Sequence, residues 1–174
     1  SRLDAQRLPN KPLKLINNKE MILHVYDSAH RAGIGRVIVA TPDEKIKNLI
    51  QNYGGEAVMT SDKHETGTDR VFEVFERELK STSDIIINFQ GDMPNLDPAN
   101  IKFLAEHMTK NVCDIGTLAS KFEDEHEEKD PNAVKALVKS KINNKSFSEA
   151  VDFFRLSDKP LNDLTYHHVG IYAF

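Results

Sequence analysis

Apolar residues recur in two alternating patterns along the first 110 residues. Positions spaced three and four apart, as on one face of a helix, occupy residues 19–32, 43–53, 68–79 and 98–108. Short continuous apolar runs, typical of strands buried on both faces, lie between them at residues 37–40, 57–59 and 85–89. This alternation with short connections predicts an α/β fold with a mostly parallel sheet and right-handed crossovers.

After about residue 113 the pattern becomes richer in strands. Apolar segments that fit strands occupy residues 115–119, 134–138, 150–154 and 169–174. The acidic stretch at residues 123–130 is interpreted as a solvated helix or loop rather than a site. We therefore predict a single domain over residues 1–174, with a three-layer α/β part and a smaller β-rich part.

Composition narrows the class of protein. The chain has 174 residues, 39% hydrophobic and 29% charged, which is ordinary for a soluble globular domain. A net charge of −4 argues against general nucleic-acid binding. No apolar run is long enough for a membrane span, and Cys113 is the only cysteine, so we expect a cytoplasmic protein without an internal disulfide framework.

The amino-terminal segment is the first candidate for chemistry. It places the cations Arg2, Arg7 and Lys11 on a stretch that Pro9 and Pro12 stiffen. Guanidinium forks and an ammonium suit the oxyanions of a polyphosphate. The sequence contains neither a Walker-type loop nor a Rossmann glycine fingerprint, so phosphate binding would need this segment. A solvated basic end is the alternative.

Residues 90–94, Gln-Gly-Asp-Met-Pro, directly follow a predicted buried strand. In α/β sheets, ligands lie beyond the carboxyl ends of the strands, which is where Asp92 would be. A single carboxylate there suits Mg²⁺, which leaves its other positions to phosphates and water. The alternative is that Asp92 only stabilises an Asx turn.

Two further segments contain candidate residues. Thr68 is predicted to cap a helix that has Asp69 in its first turn, and Gly67 before it permits close approach of a ligand. His167 and His168 are adjacent on a predicted strand, so they point to opposite faces and cannot easily share a metal. A lone strand histidine is more often structural than catalytic, and no zinc spacing is present.

Together these segments resemble the family of 3-deoxy-manno-octulosonate (Kdo) cytidylyltransferases, also called CMP-Kdo synthetases. The similarity covers essentially the whole chain in the family's order. It is carried by residues 2–12, 37–41, 54–61, 64–70, 88–94, 131–135, 150–155 and 168–172. The ordered set is much more specific than any one of its motifs.

The resemblance implies a nucleotidyltransferase-type fold and the reaction of CTP with Kdo to give CMP-Kdo and pyrophosphate, with Mg²⁺, for lipopolysaccharide synthesis in Gram-negative bacteria. A homodimer is also implied. The implied nucleotide-binding residues are Arg2, Arg7, Lys11, Thr66 and Gly67. The implied sugar-acid residues are Gln90, Arg155 and His168. Asp92 would hold the metal, and Arg2, Lys11 and Asp92 would act in catalysis.

The sequence departs from the family pattern at three places. Asn10 replaces a glycine, but Asn tolerates a left-handed backbone better than most residues. Met93 replaces a glutamate beside the metal candidate Asp92. The family also has an apolar strand before Arg2, and a dimer helix and a second metal-binding aspartate after Tyr172, so we expect this sequence to be part of a longer protein.

Two alternative functions remain at the level of the sequence. CMP-sialic acid synthetases share the opening signature, although the segments at residues 90–94 and 168–172 favour Kdo. A truncated, non-catalytic nucleotide-binding relative is the alternative from another class.

Overall fold

The computed structural model describes residues 8–111, 113–143, 147–155 and 161–174. Its α-helices are α1 (Met21–Ala32), α2 (Glu44–Asn52), α3 (Gly67–Val74), α4 (Pro98–Lys110) and α5 (Glu125–Lys129). Its strands are β1 (Leu15–Ile16), β2 (Lys19–Glu20), β3 (Ile38–Thr41), β4 (Glu56–Met59), β5 (Ile87–Asn88), β6 (Gly116–Ser120), β7 (Lys135–Val138), β8 (Ala150–Phe154) and β9 (Thr165–Ala173). A 3₁₀ turn covers Lys11–Leu13, and a π-helical turn, Phe75–Leu79, continues α3.

The described residues form two compact units. The first comprises the described part of Ser1–Asp114 together with Ala173–Phe174, and the second is Ile115–Tyr172. The expectation of one nucleotidyltransferase domain over the whole chain stays a prediction.

The first unit is built around a parallel β-α-β element. Strands β3 and β4 pair in parallel from Ile38 opposite Glu56 to Thr41 opposite Met59. Helix α2 connects them and packs on both strands through Ile46 and Ile50, whose side chains are fully buried. Burial of such side chains is the main favourable term in folding.

Gly55, just before β4, allows side chains of α1 and α2 to pack directly against its backbone. A β-carbon at this position would lie 2.8 Å from Tyr26 Cζ and 2.9 Å from Ile50 Cγ2. Contacts this short do not occur for real side chains, so a larger residue would push the helices away from the sheet.

The rest of the first unit places α1 against α4 and α3 beside β3 and β5. Phe174 joins this unit by exchanging backbone hydrogen bonds with Ile86, at 3.1 and 3.0 Å. The carboxyl end of β5 leads into residues 90–94, which were predicted to lie at such an end.

The second unit is rich in strands. Strand β7 pairs antiparallel with both β8 and β9, and β6 pairs with β9. Lys135 on β7 is only 1% exposed and donates hydrogen bonds to the carbonyl oxygens of Asp130 and Ala133, at 2.6 and 3.0 Å. These bonds compensate the lysine for its burial and fix the turn before β7.

The α/β class and the β-rich second part are confirmed, although the described sheets are mixed. The acidic stretch contains the exposed helix α5, as predicted for a solvated helix or loop. One local detail differs, because the strand predicted at residues 85–89 is limited to Ile87–Asn88. No helix in the described ranges is long and apolar enough to cross a membrane.

Candidate functional site

Asn10 starts the turn that presents Lys11. It adopts the left-handed conformation, with φ 56° and ψ 25°, that was expected of this replacement for glycine. Its carbonyl accepts a hydrogen bond from the Leu13 N–H at 2.9 Å, and Pro12 is buried. The turn therefore fixes the backbone on both sides of Lys11. The candidates Arg2 and Arg7 lie outside the described residues.

Lys11 and Asp92, which are 81 residues apart, form an ion pair. The Lys11 Nζ lies 2.8 Å from Asp92 Oδ2, and the two side chains are 36% and 51% exposed. An ion pair this open to water contributes at most about 1 kcal/mol. Because it is weak, a polyphosphate and a cation could replace it at little cost. The two residues predicted to bind phosphate and metal are thus neighbours.

Gly67 at the start of α3 lies against the Gln90 amide. A β-carbon on Gly67 would come within 3.3 Å of Gln90 Oε1 and 3.4 Å of Nε2. Gln90 donates to the Asn88 side-chain oxygen at 3.2 Å, and the buried Asn88 amide donates to Thr68 Oγ1 at 3.3 Å. This chain of amides joins the end of β5 to the amino terminus of α3.

The prediction that Thr68 caps α3 is wrong, because Thr66 is the cap. Thr66 Oγ1 accepts from the Asp69 N–H at 3.1 Å and donates to Asp69 Oδ2 at 2.6 Å. Asp69 also accepts from the Thr66 N–H, which completes a capping box. These bonds from Thr66 lower the pKa of Asp69. The spacing of Thr66 and Asp69 could have identified the cap from the sequence.

Arg70 lies in the segment 64–70, but the sequence alone predicted no individual role for it. It is 3% exposed and donates to Thr60 Oγ1 at 2.5 Å and to the Ser61 carbonyl at 2.8 Å. Charge-assisted bonds of this kind are among the stronger ones in proteins. Arg70 therefore ties the loop after β4 to α3.

Glu73, one turn further along α3, holds the same loop from its other side. Its carboxylate lies 2.6 Å from His64 Nε2 and accepts bonds from the Ser61 N–H at 2.9 Å and from Arg77 at 2.8 Å. The His64 bond is the largest cause that lowers the pKa of Glu73 from 4.5 to about 2. The loop that leads to Thr66 is therefore fixed by two charged residues of α3.

We expect the stability of this loop to depend on pH through Glu73. A folded-state pKa of about 2, below the ordinary 4.5, stabilises the fold above pH 4.5 and loses that effect as pH falls towards 2. The difference in urea midpoint between the wild type and Glu73→Gln should therefore shrink as pH falls through this window. Carboxyl NMR titration of Glu73 gives the pKa directly, and a value near 4.5 would contradict the network.

A cavity of about 1170 Å³ opens in the first unit. Apolar residues of β3 and β5 form part of its wall. Its polar wall contains five of the predicted site residues: Lys11, Thr66, Gly67, Gln90 and Asp92.

The residues that the structure describes contain no group of three or more His, Cys, Asp or Glu side chains that could hold a metal ion. Asp92 offers one carboxylate at the cavity wall. Mg²⁺ fits such a place, because it commonly takes one or two carboxylates and completes its octahedron with phosphates and water.

His168 lies in the second unit, 8% exposed. Its Nε2 is 2.9 Å from Thr117 Oγ1, and the Phe153 and Tyr172 rings lie 5.0 and 5.5 Å from its ring centre. Burial lowers the pKa of His168, so the ring is neutral at neutral pH. Arg155 follows β8 in the same unit, and its side chain is exposed.

His167 confirms the prediction that the adjacent histidines point to opposite faces. Its Nδ1 lies 2.5 Å from Glu127 Oε1, and its ring stacks on Phe122. This side chain fastens α5 to the sheet, whereas His168 faces Thr117.

Comparison with known proteins gives one consistent result. The family model described as "Cytidylyltransferase" matches residues 1–174. The 3-deoxy-manno-octulosonate cytidylyltransferase of Actinobacillus succinogenes is 39% identical over all of this chain and 72% of its own length. The protein of the same name from Nitrobacter winogradskyi is 41% identical over all of this chain and 68% of its length.

A solved structure supports the same family. The structure of CMP:2-keto-3-deoxy-manno-octonic acid synthetase complexed with CTP superposes with a TM-score of 0.85 and 37% identity, covering all of this chain and 70% of that one.

Proposed function

The chain belongs to the cytidylyltransferase family and, within it, to the 3-deoxy-manno-octulosonate cytidylyltransferases, and from this premise we propose that it transfers CMP from CTP to Kdo and releases pyrophosphate. The observation that carries the proposal is the Lys11–Asp92 pair at the wall of the cavity, 2.8 Å apart. It offers one cation for phosphate and one carboxylate for a metal at the same place. The activated sugar would serve lipopolysaccharide synthesis.

The reaction is a displacement at phosphorus. The 2-hydroxyl of Kdo forms a bond to the α-phosphorus of CTP, the bond between the α-phosphorus and the bridging oxygen breaks, and the hydroxyl proton leaves to solvent. Such transfers depend mainly on positioning and on neutralising charge, so no covalent protein nucleophile is needed. Lys11 is proposed to neutralise the leaving phosphates together with Arg2, with Arg7 supporting the loop or joining them.

Thr66 and Gly67 are proposed to lie against the cytidine. The Thr66 hydroxyl proton is already donated to Asp69, so Thr66 is restricted to an orienting role at the helix start. The absence of a side chain on Gly67 leaves its backbone open to close approach beside Gln90.

Asp92 is proposed to hold Mg²⁺. When bound, the ion would withdraw negative charge from the phosphates and so stabilise the transition state. Breaking the ion pair between Asp92 and Lys11 to bind the metal costs little free energy, because the pair is half-exposed.

Gln90, Arg155 and His168 are proposed to bind the sugar acid. The exposed Arg155 guanidinium can pair with a carboxylate in a bidentate manner. The neutral His168 ring can bond a sugar hydroxyl without bringing a charge. We also propose a homodimer, as in the family resemblance, and a cytoplasmic location, where CTP is available.

An acceptor assay tests the function. Pyrophosphate release from CTP should require the sugar acid, and Kdo should support a kcat/KM at least about 100-fold above that of sialic acid, because a site built for one polar ligand leaves groups unpaired with another. The complete protein is used, with and without Mg²⁺. Faster release with sialic acid would favour a CMP-sialic acid synthetase. CTP binding without release on either acceptor would favour a non-catalytic nucleotide-binding relative.

A further inference from the structure

The hydroxyl of Thr117 has three polar neighbours in the second unit. It lies 2.9 Å from His168 Nε2, 3.2 Å from the Val169 carbonyl oxygen and 2.6 Å from the Ile171 carbonyl oxygen. A hydroxyl has one proton to donate and lone pairs that accept. The position of that proton therefore decides whether His168 Nε2 donates a hydrogen bond to Thr117 or accepts one from it.

The two carbonyl oxygens can only accept. At 2.6 Å, the Ile171 contact requires a proton between the two oxygens, so Thr117 donates there. Since the proton is used, the Thr117 oxygen must accept from His168. The hydrogen-bond network thus assigns the imidazole proton to Nε2.

The other ring nitrogen is then a free acceptor. A neutral imidazole with its proton on Nε2 has a lone pair on Nδ1. Among the described residues, every fully buried side-chain nitrogen or oxygen has a hydrogen-bond partner. The only hydrogen bond recorded for the His168 ring within these residues is made by Nε2. The Nδ1 atom is therefore not fully buried. The Phe153 and Tyr172 rings flank the imidazole and restrict its rotation.

We propose that Thr117 is a positioning residue that holds His168 with its proton on Nε2, so that Nδ1 accepts a hydrogen bond from a hydroxyl group of the sugar acid. This proposal rests on the proposed function for the identity of the ligand. The contact between Thr117 and His168 does not depend on that function.

The test compares Thr117→Val, which removes the hydroxyl at nearly the same volume, with Thr117→Ser, which keeps it. Nitrogen-15 NMR of the histidine rings reports the tautomer in the ligand-free chain, and the His168→Gln variant assigns the signal. We expect the Nε2–H form in the wild type and in Thr117→Ser, and a mixture of tautomers in Thr117→Val. The KM for Kdo should rise about tenfold in Thr117→Val only, with the KM for CTP unchanged, as expected for one misdirected hydrogen bond.

Thr165→Val is the matched control, because Thr165 is also buried in the second unit and its hydroxyl bonds Asn162 rather than His168. It should lose stability without changing the tautomer or the KM for Kdo. A wild-type Nδ1–H tautomer, or an unchanged tautomer in Thr117→Val, would overturn the positioning contact. A changed tautomer with an unchanged KM for Kdo would overturn its role in sugar recognition. No turnover with Kdo in the wild type would instead overturn the proposed function, while the NMR result would still decide the contact.

Discussion

Asp92→Asn is expected to lower Mg²⁺-dependent turnover by about 10²–10³-fold, as for loss of one group that stabilises transition-state charge. The neutral amide keeps the shape of the side chain but loses the charge that a hard cation requires. Measurement of kcat over a range of Mg²⁺ concentrations should show that more metal restores only part of the lost rate.

The fold should tolerate this change. The Asp92 side chain is 51% exposed, and its ion pair with Lys11 contributes at most about 1 kcal/mol. Asp114→Asn is the matched control, since Asp114 is exposed in the same unit and is not part of the cavity wall. Full turnover of Asp92→Asn, at any metal concentration, would refute the metal role.

Hydrophobic periodicity was sufficient to predict α1 to α4 and the change of pattern after residue 113, but not the acidic helix α5. It was less informative about which strands pair with each other and over what length. The apolar run at residues 85–89 predicted a five-residue strand, but only Ile87–Asn88 is one. Strand length depends on which backbone groups find a partner, and that depends on segments distant in the sequence.

The candidate site shows the same division between local and distant information. Asp92 and Lys11 were predicted from local motifs, but their direct contact spans 81 positions and has no local signal. The bonds of Glu73 to His64 and of Thr117 to His168 depend in the same way on how elements pack. The cap of α3 differs from these contacts, because the Thr66–Asp69 spacing is itself a local capping signal in the sequence.

Lys11→Ala is expected to weaken CTP binding by about 10–100-fold, the range for losing one hydrogen bond to a charged group. The ammonium would bond the phosphates directly, so its effect should persist when the metal is removed. Isothermal titration calorimetry of CTP, with Mg²⁺ and again with EDTA, measures both conditions.

Measuring CTP affinity with Mg²⁺ and with EDTA distinguishes the role of Lys11 from that of Asp92. Asp92→Asn should weaken CTP binding only when Mg²⁺ is present, whereas Lys11→Ala should weaken it in both. Lys14→Ala is the matched control, because Lys14 is exposed close by in the chain and is absent from the cavity wall. Unchanged CTP affinity in Lys11→Ala would count against the phosphate role. If the loss in Lys11→Ala disappeared in EDTA, Lys11 would act by orienting Asp92 rather than by binding the nucleotide.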